Sequence, residues 1–156
     1  MDRKQEIKGL DQSKYTIEQI FDRKNPSNLV ENLLFRFNEL LFKSLERASK
    51  RVIIRTNDIG FTYFCNERKA FIFLTVCRRF LSMRFFTGDS IVRGISKGIW
   101  LNKNDNIGSK TYRIKDENTL QWALSIAHDS YDIAKEWSIQ NSTKKTTIER
   151  NKLSIV

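Results

Sequence analysis

The chain has 156 residues, 40% hydrophobic and 29% charged, with a formal net charge of +10. That composition fits one globular domain, able to bury roughly 70% of the surface its unfolded chain would expose, rather than a disordered protein. No apolar run approaches the ~20 residues of a membrane-spanning helix, the polar start "MDRKQEIKGLDQSKY" has no secretory h-region, and two cysteines make no disulfide framework. The expectation is a cytoplasmic protein with no membrane partner, in which Cys65 and Cys77 are reduced, buried thiols.

In chain order, "YTIEQIF" is compatible with one short helix. Asn25 then reads as an N-cap, with Pro26, the single proline, at the first helical position. The run "SNLVENLLFRFNELLFKSLERA" places Val30, Leu34, Phe37, Leu41 and Leu45 at helical intervals, an amphipathic helix of about five turns. A β region follows. "RVIIRT" (51–56), "FTYFCN" (61–66), "KAFIFLTVC" (69–77) and "FLSMRFF" (80–86) are strand-like, and the short links between them predict an antiparallel meander. Residues 87–109 hold four of the six glycines and Trp100, a stretch long enough to be functional or to hide a short element. "KTYRI" (110–114) reads as the last strand. Asp116 is placed to cap a helix carrying Leu120, Ala123, Leu124, Ala127 and Tyr131 on one face. The polar segment 141–156 reads as a frayed tail behind a single domain over 1–140. The expected fold is therefore α+β: an antiparallel meander of four to five strands flanked by an N-terminal amphipathic helix and a C-terminal helix.

This order of parts resembles an uncharacterised bacterial domain family labelled "predicted transport protein". The likeness is carried by the "YTIEQ" entry, the leucine-rich helix, the hairpin-rich sheet and "YRIKDENTLQWALSIAHDSYD", over about residues 15–134. Such domains occur alone or fused to restriction-endonuclease-like nuclease portions. The resemblance implies a small α+β domain with no assigned active site, in company that deals with nucleic acid. This chain departs from the family pattern between 87 and 109, where Gly94, Gly98 and Gly108 are spread out rather than tightly spaced.

No residue set spells out an enzyme, a cofactor site or a metal site. His128, the only histidine, falls between the apolar stripe and the polar face of the last helix, and sequence spacing gives it no partner. Asp58 with Glu67, Arg68 and Lys69 imitates a nuclease pattern, but Glu67 lies in a predicted turn, where it cannot share a metal with Asp58.

Charge is more informative. Residues 43–113 carry fifteen basic and five acidic side chains, whereas the rest of the chain is nearly balanced. An excess confined to the sheet-forming half predicts one basic face. Strand parity puts Arg78, Phe80, Ser82, Arg84 and Phe86 on one face of 78–86, with Arg79 at the entrance of the other, and puts Arg51 and Arg55 together on one face of 51–55. With Arg93 and Lys97 at the rim, these arginines suit phosphate contact with DNA or RNA, and Trp100 suits stacking on a base. Arginines on a wet strand face also keep a sheet soluble. A different class of function fits too: a protein-interaction or homodimerisation module of a nuclease or defence assembly, anchored by Trp100.

Overall fold

A computed structural model describes residues 7, 9–11, 14–88, 90, 92–93 and 111–154, with side chains as far as Gln140. Its elements are α1 (Ile17–Lys24), α2 (Asn28–Arg47), β1 (Ile53–Thr56), β2 (Gly60–Phe64), β3 (Ala70–Val76), β4 (Leu81–Phe85), β5 (Tyr112–Ile114) and α3 (Glu117–Ser154). The five strands form one antiparallel sheet in the order β1-β2-β3-β4-β5. This is the expected α+β meander between helices. α3 continues to Ser154, through the polar segment that composition reads as a tail.

The helices start where their capping chemistry puts them. Thr16 and Gln19 form a reciprocal capping box at α1, each side chain accepting from the other's amide. Asp116 accepts from the Thr119 amide at 2.8 Å to open α3. Between α1 and α2 the boundary differs from the sequence reading. Asn25 is the left-handed C-cap of α1 (φ 47°), and Ser27 is the N-cap that accepts from Val30. Asparagine tolerates the left-handed region better than most residues, so it closes the first helix rather than opening the second.

The five positions of the α2 stripe, Val30, Leu34, Phe37, Leu41 and Leu45, are all 0–1% exposed. They pack on the sheet face formed by Ile54, Phe61, Tyr63, Ile72, Leu74, Val76, Leu81, Met83 and Phe85, with Phe37 edge-on to Tyr63 at 5.8 Å. In α3, Leu120, Ala123, Ala127 and Tyr131 are buried and Leu124 partly so. Tyr63 donates its hydroxyl to Asn38 of α2 inside this layer, which satisfies a buried phenol that would otherwise be orphaned.

One irregularity matters for the packing. Across β2 and β3, Tyr63 faces Ile72 but Phe64 faces Ala70, so Phe71 is an extra residue in β3. Such a bulge turns two consecutive side chains inward. Phe71 and Ile72 are accordingly both fully buried, Phe71 edge-on to Tyr131 of α3. The Phe71 carbonyl accepts from the Phe86 amide and the buried Ser130 hydroxyl, which also reaches the Phe86 carbonyl at 2.6 Å. At the outer edge of β1, Gly9 accepts from Ile54 and Asp11 donates back to it, so residues 9–11 cover that edge.

Candidate nucleic-acid interface

Directly opposed residues in an antiparallel sheet share a face. The register places Arg55, Thr62, Phe73 and Arg84 in one row across β1 to β4, and Thr75, Ser82 and Arg113 in the next row toward β5. Both rows point away from the helical layer. The polar groups of these two rows are hydroxyls and guanidinium groups, and Phe73 is their one apolar side chain; Ile53, Phe64 and Ala70 continue the same face in the next row.

Each arginine of this face lies over a ring of a neighbouring strand. Arg55 Cζ stands 4.7 Å from the centre of Phe64, Arg84 Cζ 5.4 Å from Phe73, and Arg113 Cζ 4.5 Å from Phe80. The ring quadrupole attracts the cation and holds each guanidinium over its ring rather than extended into water. Arg84 and Arg113 are exposed, and no carboxylate among the described residues pairs with either. Arg55 is more engaged: its Nε lies 3.2 Å from Asp11 Oδ2, and its Nη1 donates to the Glu67 carbonyl at 3.4 Å.

The residues expected from sequence divide. Arg55 and Arg84 meet in one row, as parity requires. Arg78 does not join them. β3 ends at Val76, and the chain reverses over Arg78 and Arg79, closed by the Cys77 amide on the Phe80 carbonyl at 3.1 Å. Both arginines are exposed at the hairpin tip, so Arg79 guards no core entrance. The tip is tied down by the Ser27 amide, which donates to the Arg78 carbonyl. Phe86 also leaves the arginine face: beyond the end of β4 it turns inward and meets Trp137 of α3 at 5.7 Å. Cys77, outside the strand, is half-buried, whereas Cys65 is buried.

Arg51 precedes β1 and is exposed in the cleft at its edge, with its carbonyl accepting from the Tyr131 hydroxyl at 2.7 Å. Arg93 belongs to the helical side, where its Nε pairs with Asp129 of α3 at 2.9 Å. Lys97 and Trp100 lie outside the described residues.

Sequence reasoning passed over Arg113. The alternation of the short strand "YRI" against Ile114, a core residue, was the signal that could have found it. It also missed Lys69, the first residue of the strand-like run 69–77, which is 8% exposed, its ammonium 3.5 Å from the Phe86 ring centre and 4.4 Å from Trp137. Burial pushes the Lys69 amine down to about 8, against a small opposing pull from Cys65. Between pH 8 and the ordinary lysine value of 10.5 the unfolded chain therefore holds a proton that the folded one has released, and stability rises with pH. Burial raises the Cys65 thiol, which acts in the opposite sense above its ordinary value of 9.0. Thermal melts of the protein and of Lys69→Met at pH 7, 8 and 9 should show the parent gaining on the variant as pH rises. A constant difference would mean that Lys69 keeps an ordinary pKa.

His128 does gain a partner through the fold. Its Nε2 is 2.6 Å from Ser44 Oγ, which also lies 3.1 Å from the Leu41 carbonyl. A serine hydroxyl that gives its proton to the backbone one turn back accepts from the imidazole and is not activated by it. Burial and the Lys50 ammonium push this imidazole below its usual value. The pair joins α2 to α3, and among the described residues no cluster of histidine, cysteine or carboxylates could hold a metal.

Comparison with protein-family models, curated proteins and solved structures finds no match. No helix among the described residues is long and apolar enough to cross a membrane.

Proposed function

We propose that the protein is a non-enzymatic accessory domain that binds the phosphate backbone of nucleic acid through the outer face of its sheet. The observation that carries this reading is the set Arg55, Arg84 and Arg113, presented by three strands on one face, two of them with no carboxylate partner among the described residues. A guanidinium fork donates two parallel hydrogen bonds to a phosphate, and a net charge of +10 draws a polyanion toward the surface from a distance. Arg78 and Arg79 at the hairpin tip extend the positive surface beyond the end of β3 and the start of β4.

Fluorescence anisotropy of labelled single- and double-stranded DNA and RNA, titrated at three salt concentrations, tests this. Engagement of about three phosphates gives a slope of log affinity against log salt of about −2 on single strands and nearly −3 on duplex. Absence of binding to all four probes at low salt overturns the reading and leaves the arginines as solubilising residues. A protein-interaction surface would instead use exposed apolar side chains and respond little to salt. The largest of these on α3, Trp122 and Ile139, are 52% and 60% exposed. They stand about five turns apart along the helix and do not form one patch.

A further inference from the structure

The three arginines of the outer face do more than carry charge. Each guanidinium stands over a phenylalanine ring, and the three rings come from successive parts of the sheet: Phe64 from β2, Phe73 from β3, and Phe80 from the residue before β4. Phe73 sits opposite Thr62, two residues along β2 from Phe64, and Phe80 sits four residues along from Arg84, the partner of Phe73. With neighbouring strands about 4.8 Å apart and residues about 3.4 Å apart along a strand, the rings lie on a diagonal that crosses the sheet. The rings themselves are half-buried, held by their neighbours on the face.

A guanidinium held over a ring is a planar cation fixed at the surface beside an aromatic side chain. Unpaired bases stack on such planes and on aromatic faces, whereas bases within a duplex are already stacked and present only edges and phosphates. We infer that the outer face selects single-stranded nucleic acid, seating about one base on each of the three Arg–Phe pairs along the diagonal while the adjoining phosphates meet the same guanidinium groups. This rests on the nucleic-acid reading above and adds to it the strandedness and the site size.

The probes are unstructured oligo-dT and oligo-U of one, three and six nucleotides, and a blunt DNA duplex of about twelve base pairs, which offers more phosphates than the hexamer. The hexamers are expected to bind at least about tenfold tighter than the duplex, and affinity to rise steeply from one to three to six nucleotides, because the outer pairs stand about 20 Å apart and three nucleotides do not span them. Phe73→Leu and Phe80→Leu, shape-tolerant changes at half-buried sites, should each weaken hexamer binding about tenfold without changing the salt slope, since a base contact and not a phosphate is lost. Arg84→Lys keeps the charge, cannot perturb the core, and should remove much of the preference for single strands while keeping the slope.

If the duplex binds as tightly as the hexamer, or the phenylalanine variants and Arg84→Lys bind like the parent, stacking is wrong while phosphate binding by the face stands. If no probe binds at low salt, this inference and the reading beneath it both fall.

Discussion

Reversing two charges on the sheet, Arg84→Glu with Arg113→Glu, is expected to lower nucleic-acid affinity at least about 100-fold while leaving the fold in place. Both side chains are exposed, neither has a carboxylate partner to lose among the described residues, and each projects from a strand whose inward neighbours form the core. The structural loss is one cation–π contact each, of about 0.5–1 kcal/mol at an exposed site. The loss in binding is larger because two attractions become two repulsions at the surface where a phosphate would sit. The matched control is Lys43→Glu with Arg47→Glu, which changes net charge equally but on the exposed face of α2. If the control weakened binding as much as the sheet variant, affinity would follow net charge and not this face. Unchanged affinity in a folded sheet variant would remove the face from the interface altogether.

Gly60→Ala is expected to cost about 3–5 kcal/mol, a large part of a typical domain's stability, and to appear as a fall of about 10 °C in the melting temperature. Gly60 opens β2 opposite Thr75, and an added Cβ would fall on the Leu74 carbonyl oxygen of the neighbouring strand. Backbone cannot step aside as a flexible side chain can, so β2 and β3 would have to separate at this point. Gly88→Ala makes the instructive contrast. Gly88 has φ 55°, but a Cβ there would meet the Ile133 side chain at 3.4 Å and the Phe86 ring at 3.7 Å, both ordinary contacts. Its cost is the left-handed backbone alone, about 1 kcal/mol. Equal melting temperatures for the two variants would mean that the β2–β3 ladder yields easily, contrary to its tight register.

The sequence by itself determined the elements and the direction in which most side chains point. The spacing from Val30 to Leu45 specified the buried stripe of α2, because a helix repeats every 3.6 residues whatever it packs against. Alternation in "IIRT" and "LSMRF" set Arg55 and Arg84 on the side opposite the core, because a strand repeats every two. Short links between apolar runs required antiparallel neighbours.

What escaped the sequence depends on where periodicity stops and on which strands become neighbours. Arg78 left the face because β3 ended at Val76, a boundary set by the hairpin and by the Ser27 amide of a distant helix cap. Phe71 and Phe86 turned inward through a bulge and a strand end, both held by the Ser130 hydroxyl of α3. The pairing of β4 with β5 brought Arg113 beside Phe80, from positions 33 residues apart, and the closure of α3 over the sheet buried the Lys69 ammonium between Phe86 and Trp137. Periodicity is a property of the local backbone and can be read along the chain; the meeting of a guanidinium with a ring depends on register between strands, which only the folded sheet supplies.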